Sequence, residues 1–175
     1  MITDEIKKEM PRHLTTEEIR DGCIKIYGGD NNEAKLCMIG DEFRQGIDSI
    51  EPYKHSVTFY GGTRFDEHNS YYKKSRHLAG RIVRELGHAI VTGGGPGIME
   101  AANRGAHESG GKSVGLTIQL PHEQKTNSYV TDSIPFYFFF ARKVTLSYMS
   151  EVSIFFPGGF GTFDELFGIN TPRSY

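Results

Sequence analysis

Two glycine-rich stretches have the composition of phosphate-binding turns. They are Gly93-Gly94-Gly95-Pro96-Gly97 and Pro157-Gly158-Gly159-Phe160-Gly161-Thr162. Glycine lets the backbone approach a ligand closely, and the helix that follows such a turn directs free N–H groups at it, which favours anions and phosphate above all. A third turn, Gly61-Gly62, follows another short apolar run. If the three turns lie at one edge of a β-sheet, they are harder to explain as ordinary loops than a single glycine-rich turn would be.

Neither stretch matches the two best-known nucleotide fingerprints. In a G-x-G-x-x-G pattern that starts at Gly93 or Gly159, the last position is Ile98 or Asp164. A Walker A loop ending at Lys112-Ser113 would need glycine where Ala106 stands, and it would precede a strand instead of following one. That segment is better interpreted as a helix-to-strand turn.

The surrounding residues predict an α/β domain with a parallel sheet. The predicted strands are residues 57–60, 89–92, 113–118 and 152–156. The predicted helices run from Ser70 to a stop at Gly87, over residues 98–108 and 135–150, and from the second phosphate turn through Leu166. Strands that alternate with helices form parallel sheets, and ligands bind beyond the carboxyl ends of those strands.

Residues 1–54 are predicted to be a partly helical N-terminal extension, and residues 55–175 the nucleotide-binding domain. In the extension, a helix is predicted to start at Thr16, and residues 28–32 form a loop. A second helical face is predicted at Phe43, Ile47 and Ile50, ending before Pro52.

Composition limits the classes of function. The chain has 175 residues, of which 37% are hydrophobic and 24% charged, with a net charge of −2, as in soluble globular proteins without a nucleic-acid-binding face. The longest apolar run, residues 134–141, is too short for a membrane span, and residues 1–16 lack the apolar region of a signal peptide. Cys23 and Cys37 suggest neither a zinc pair nor a disulfide framework, so a reducing cytoplasm is expected.

The histidines do not predict a metal site. There are seven, and none has a metal-ligand spacing with another histidine or with a carboxylate. They are His13, His55, His68, His77, His88, His107 and His122.

The two phosphate turns and their flanking residues resemble the LOG ("lonely guy") family, formerly labelled lysine decarboxylases. Residues 157–165 match its P-G-G-x-G-T-x-x-E pattern at every fixed position, and Arg142-Lys143 matches its Arg-Lys pair. Residues 93–103 carry the other motif, and residues 120–124 with Asn127 resemble the bacterial branch. The resemblance covers roughly residues 57–167.

This resemblance implies a fold, an activity and an assembly. The fold is a Rossmann-like three-layer α/β fold with a mostly parallel sheet, usually in a homodimer or higher homo-oligomer. The activity is hydrolysis of the N-glycosidic bond of a purine-type nucleoside 5′-monophosphate, AMP or a cytokinin nucleotide, to free base and ribose 5-phosphate. No metal or organic cofactor is required for such a hydrolysis. Family members continue beyond Phe167 with a long helix and at least one further strand, so the C-terminal part is expected to be truncated.

The resemblance also implies roles for particular residues. Arg142 and Glu165 form the catalytic pair, because glycosidic cleavage builds positive charge on the sugar and negative charge on the leaving base. Weaker candidates for ribose or base binding are Thr63 and Glu100. The predicted phosphate- and substrate-binding residues are Gly94, Gly95, Gly97, Lys143, Gly158, Gly159, Gly161 and Thr162.

Each of these residues also has a purely structural interpretation. Thr162 and Glu165 fit a capping box, in which Glu165 only bonds back to the start of its helix. Glu100 could equally stabilise its own helix N-terminus. Adjacent helical residues diverge by about 100°, so Arg142 and Lys143 cannot face one pocket equally, and Arg142 is the predicted inward one.

The aromatic segment of residues 136–140 is predicted to lie in the core or in a dimer interface. Its helical face is predicted to comprise Tyr137, Ala141, Val144 and Tyr148.

Three hypotheses about function remain open. The first is the nucleoside monophosphate hydrolase, the second a non-catalytic nucleotide-binding or sensor protein with the same turns. The third is an amino-acid decarboxylase, which needs a pyridoxal phosphate lysine that no sequence context here supports. The base preference is not encoded in these motifs.

Overall fold

The structure, a computed structural model, describes residues 16–53, 55–119, 126–149 and 151–170. The helices are α1 (Thr16–Tyr27), α2 (Asn32–Ile50), α3 (Ser70–Leu86), α4 (Ile98–Glu108), α5 (Phe139–Met149) and α6 (Phe160–Asn170). The strands are β1 (Ser56–Tyr60), β2 (Ala89–Thr92), β3 (Ser113–Ile118), β4 (Asp132–Phe136) and β5 (Val152–Phe155). A short 3-10 helix, Glu51–Tyr53, follows α2 and contains Pro52. The predicted segment 120–124 lies outside the described residues.

The five strands form one parallel sheet in the order β4-β3-β2-β1-β5. Every residue of β1 and β2 is buried, as in sheets that helices cover on both faces. One buried cluster centres on Val91, Leu116 and Phe136, and a second contains Phe59 and Ile90. The predicted Rossmann-like α/β fold is therefore confirmed.

Local signals predict the ends of α3 well. Gly87 lies just past the helix in a left-handed conformation, and its N–H bonds to the Val83 carbonyl, as a glycine stop signal predicts. At the other end the capping residue is Asn69, whose side chain accepts the Tyr71 N–H, and Ser70 is already helical. The predicted boundary differs by one residue.

The predicted helix over residues 135–150 is wrong in its first part. Residues up to Phe136 belong to β4, and the helix begins only at Phe139. Along β4, Phe136 is buried whereas Ser133 and Pro135 are exposed, the alternation of a strand with one covered face. Pro135 lacks an N–H and is tolerated because β4 is the edge strand of the sheet.

Glu42 connects α2 to the start of α5. Its buried carboxylate accepts the backbone N–H groups of Tyr137 and Phe138, which immediately precede α5. Burial raises the pKa of Glu42, and these two hydrogen bonds oppose that effect. A side chain from a distant helix thus satisfies donors at the N-terminal end of the helix that carries Arg142.

Glu42→Ala is expected to lower the free energy of unfolding by about 1–3 kcal/mol, because it leaves two backbone donors without their acceptor. Urea denaturation followed by circular dichroism measures the change. Asp48→Ala, an exposed acid on the same helix, is the matched control and should change stability by less than about 0.5 kcal/mol. Equal losses in the two variants would contradict this role for Glu42.

Among the described residues, those up to Asp41 form a compact unit of their own and those from Glu42 onward form a second, so the division falls inside α2. In the first unit, Cys23 and Cys37 form a disulfide, with their Cα atoms 5.8 Å apart. The expectation that the chain has no disulfide is wrong, because α1 and α2 reverse direction between them and bring distant cysteines together. The cytoplasmic location stays a prediction.

Among the described helices, none combines the length and apolar character that crossing a bilayer requires.

Candidate functional site

The three glycine turns meet at the carboxyl ends of neighbouring strands. The Gly62 N–H donates to the Pro157 carbonyl at 3.0 Å, which joins the turn after β1 to the turn after β5. The Ile98 N–H donates to the Gly62 carbonyl at 3.1 Å, which joins the turn after β1 to the N-terminus of α4. Because β2, β1 and β5 are adjacent in the sheet, the turns form one continuous backbone surface.

Two glycines make this close approach possible. Gly97 has φ of 74°, and a Cβ at this position would overlap the Gly62 carbonyl oxygen and the Thr63 backbone. A Cβ at Gly158 would overlap the Thr162 hydroxyl. Glycine at these two positions is therefore a packing requirement as well as a feature of a ligand-binding turn.

A buried polar network holds the first glycine turn. The Asn127 side-chain amide donates to the Gly94 and Gly95 carbonyls, both at 3.1 Å, and to Asn103 Oδ1 at 2.9 Å. The Thr92 hydroxyl donates to Asn103 Oδ1 at 2.7 Å and accepts the Gly94 N–H at 2.9 Å. The sequence pointed to Asn103 and Asn127 only as part of the family resemblance, without a role for either. Their hydrogen bonds show that they position the glycine turn at residues 93–97.

Arg142 is the inward-facing member of the Arg142-Lys143 pair on α5. Its Nε donates to the Leu116 carbonyl at 2.6 Å and Nη2 to the Gly93 carbonyl at 3.4 Å, so the guanidinium lies against the first glycine turn. Burial lowers its pKa, and the negative charge of Glu165 opposes that effect. These two bonds use two of five N–H donors, which leaves donors for a ligand.

Lys143 points elsewhere, because it is about 100° further around the helix. Its ammonium pairs with Asp164 of α6 at 2.7 Å. Its positive charge is thus already compensated, and its assignment to phosphate binding stays a prediction.

Glu165 lies on α6 with its carboxylate half-buried. Burial raises the pKa of Glu165, Arg142 and Lys143 lower it, and Asp164 raises it further. Within the described part of the chain, no hydrogen bond or ion pair engages this carboxylate. A half-buried acid without a structural partner, beside an arginine, is typical of functional sites.

The capping-box interpretation of Glu165 is wrong. Helix α6 begins at Phe160, so Thr162 lies inside the first turn and cannot be the capping residue. Consistent with this, the N–H groups of Thr162 and Phe163 both donate to the Gly159 carbonyl, at 3.0 and 3.2 Å.

The N-terminus of α6 is accessible to a ligand. Gly158, Gly159 and Gly161 are exposed, and Thr162 is half-buried. The first turn of a helix has N–H groups without partners inside the helix, and its dipole favours a negative charge there. The chemistry of this end suits a phosphate, and the binding roles of these residues and of Gly94, Gly95 and Gly97 stay predictions.

The two weaker candidates for ribose or base binding, Thr63 and Glu100, lie in different surroundings. Thr63 is exposed in the turn after β1, beside Gly97. Glu100, on α4, accepts a hydrogen bond from the Tyr72 hydroxyl at 2.9 Å. Burial and this bond raise the pKa of Tyr72 to about 12. The Glu100 carboxylate therefore already accepts a hydrogen bond from α3, and a ribose hydroxyl would have to bind the same carboxylate beside Tyr72.

The aromatic segment divides between the core and the surface. Phe136 and Ala141 are fully buried, whereas Tyr137, Val144 and Tyr148 are each about half exposed. On α6, Phe160 is 94% exposed. The described residues of α5 and α6 thus leave apolar area open.

Comparisons with known proteins agree with the motifs. The family described as possible lysine decarboxylase matches residues 99–174. An uncharacterized protein of Archaeoglobus fulgidus is 33% identical over 91 residues, which cover 51% of this chain and 58% of the relative. The match therefore spans less than two thirds of that relative's own length.

Solved structures share the fold. The structural-genomics target TM1055 is 25% identical, with a TM-score of 0.56, over 66% of this chain and 68% of its own. A molybdenum cofactor carrier protein from Chlamydomonas reinhardtii is 24% identical, with a TM-score of 0.55, over 66% of this chain and 69% of its own. At that identity the second likeness concerns the fold alone. By its motifs, its fold and these matches, the chain is LOG-like and is similar to the family described as possible lysine decarboxylase.

Proposed function

We propose that this chain hydrolyses the N-glycosidic bond of a purine-type nucleoside 5′-monophosphate, AMP or a cytokinin nucleotide. The products are the free base and ribose 5-phosphate. The observation that carries the proposal is the half-buried Glu165 carboxylate, which has no partner among the described residues and lies near Arg142 at the edge where the glycine turns meet. The family match and the P-G-G-x-G-T-x-x-E motif support the same activity.

In this proposal the phosphate binds at the N-terminus of α6. The main-chain N–H groups of Gly158, Gly159 and Gly161 and the Thr162 hydroxyl supply donors, and the helix dipole favours the anion. A phosphate held there brings the attached ribose towards Glu165, which lies further along the same helix. Binding energy from the phosphate then positions the sugar for reaction.

Cleavage of the bond between C1′ and the base nitrogen sends the electron pair to the base. Positive charge develops on the sugar, where the Glu165 carboxylate stabilises it and orients a water molecule. That water adds its hydroxyl group to C1′, and its remaining proton neutralises the departing base. Arg142, with donors left over after binding the Leu116 and Gly93 carbonyls, stabilises negative charge on the phosphate or on the base.

We also propose that the active form is a homodimer or higher homo-oligomer, with no nucleic-acid or membrane partner. The exposed apolar side chains of α5 and the residues just before it, Tyr137, Val144 and Tyr148, support self-association, because oligomer interfaces are enriched in such residues.

Incubating the purified chain with AMP is expected to release adenine and ribose 5-phosphate in equal amounts, as measured by chromatography. Adenosine should react far more slowly, since it lacks the phosphate that orients the ribose. Lysine with pyridoxal phosphate should yield no carbon dioxide.

The same experiment separates the alternatives. AMP binding without adenine release would support a non-catalytic nucleotide-binding protein, and decarboxylation of lysine would support the activity in the family description. A cytokinin nucleotide compared with AMP establishes the base preference.

A further inference from the structure

A second cluster of functional side chains lies at the edge of the sheet opposite the glycine turns. His55 Nδ1 is 2.8 Å from Glu151 Oε1, and His88 Nε2 is 3.1 Å from Glu151 Oε2. The two imidazole rings have centroids 5.7 Å apart. His55 precedes β1 and Glu151 directly precedes β5, while His88 directly precedes β2, so the cluster joins three adjacent strands at their amino ends.

The backbone holds these three positions together. The Ala89 N–H donates to the His55 carbonyl at 2.9 Å, and the Glu151 N–H donates to the Ser56 carbonyl at 3.2 Å. The side chains therefore project from neighbouring points of one hydrogen-bonded ladder. Such preorganisation is what a three-residue binding site requires.

The contacts of the two ring nitrogens of His88 suit a metal-binding histidine. Nδ1 is 3.0 Å from the Leu86 carbonyl, which can only accept, so a hydrogen bond between them requires the tautomer with a proton on Nδ1. In the neutral ring with its proton on Nδ1, Nε2 presents a lone pair towards Glu151 Oε2, whereas the protonated ring donates a hydrogen bond to that oxygen. A metal ion bound between the two atoms would take the place of that proton. The bond from Nδ1–H to a backbone carbonyl is also the usual outer-shell contact of a metal-binding histidine.

We propose that His55, His88 and Glu151 bind a divalent transition metal ion of the Zn²⁺ class, through His55 Nδ1, His88 Nε2 and a Glu151 carboxylate oxygen. Two imidazoles and a carboxylate form a ligand set that zinc accepts, with water in the fourth position. The candidate ligand atoms all lie within 4.8 Å of one another. Tetrahedral zinc with bonds of about 2.0–2.2 Å places its ligand atoms roughly 3.4 Å apart, so small side-chain movements suffice.

The site would tie together the amino ends of three strands. His88 is the most enclosed of the three, with 21% of its side chain exposed, whereas His55 is 76% and Glu151 47% exposed. Access from solvent allows an ion to enter and leave. Because the cluster and the glycine turns lie at opposite ends of the strands, this inference is independent of the proposed hydrolase activity.

The direct test is calorimetric titration of the chelator-treated protein with Zn²⁺, repeated with Co²⁺ and read by its visible absorption. One ion per chain is expected for the wild type. His88→Ala and Glu151→Gln are each expected to weaken binding at least tenfold, whereas His68→Ala, an exposed histidine in a turn, should bind as the wild type does. A wild-type protein that binds no Zn²⁺, or variants that bind equally well, would overturn the proposal.

Two controls test whether the ion binds at this cluster and not at the cysteines. Cys23, Cys37 and Asp41 also lie close together and would offer ligands if the disulfide were reduced, so Cys37→Ser is expected to leave the stoichiometry at one ion per chain. Loss of binding in Cys37→Ser with retention in His88→Ala would overturn the assignment. Zn²⁺ should also raise the melting temperature of the wild type and not that of His88→Ala. If His88→Ala does not fold, His55→Ala takes its place, because that side chain is mostly exposed.

Discussion

Replacing Glu165 with glutamine is expected to reduce adenine release from AMP by about 10²–10⁴-fold while AMP binding and the fold persist. The substitution keeps the size of the side chain but removes the negative charge that stabilises the sugar cation. Steady-state rates measured by chromatography, together with AMP binding by calorimetry, give both quantities. Asp164→Asn is the matched control, since Asp164 is the adjacent acid but is 68% exposed and paired with Lys143. Full turnover in Glu165→Gln would remove Glu165 from the chemistry.

The pKa of Glu165 predicts how this variant behaves with pH. Burial raises the pKa in the folded protein, so folding favours the protonated form. The stability contribution of this group is fully present below its unfolded pKa, about 4.3, and is lost as the pH rises through the folded pKa. Glu165→Gln removes a charge that is costly to bury, so at neutral pH its unfolding free energy should equal or exceed that of the wild type. The acid limb of the wild-type rate profile should lie above the usual glutamate range and be absent from the variant.

Gly97→Ala is expected to destabilise the protein by about 3–5 kcal/mol and to abolish nucleotide binding. Gly97 has φ of 74° and ψ of −127°, a combination that only glycine adopts readily, and its added methyl group would overlap the Gly62 carbonyl. Relieving that overlap separates the turn after β1 from α4 and breaks the bond from the Ile98 N–H to Gly62. Urea denaturation and AMP titration measure the two effects.

Gly110→Ala is the control for backbone strain alone. Gly110 has φ of 73°, but a Cβ there would meet nothing within 4 Å. Its cost should therefore be only about 1–2 kcal/mol, with AMP binding unchanged. If the two alanine variants lose the same stability, the contact between Gly97 and Gly62 contributes nothing and the glycine turns are not packed as described.

Local patterns determined the architecture and the location of the candidate site. The strands at residues 57–60, 89–92 and 113–118 and helix α4 were predictable because they depend on short-range periodicity and glycine stop signals. Alternation of strands and helices then determined that the sheet is parallel and that its glycine turns share an edge. The rotation of about 100° per helical residue also predicted that Arg142 and Lys143 face in different directions, although it did not determine which of them faces inward.

Other features depend on the tertiary structure, because the residues that make each contact are far apart in the sequence. Glu42 and Phe138 are 96 residues apart, as are His55 and Glu151, and no spacing rule connects them. Strand β4 was missed because Pro135 and Phe136, its last two residues, were included in the predicted aromatic helix, and pairing with β3 decides their conformation. The Cys23–Cys37 disulfide depends in the same way on how two helices reverse direction. Residue type and short-range order determined which groups this chain has available for chemistry, whereas folding decided which of them meet, since contacts between distant residues depend on packing of the whole domain.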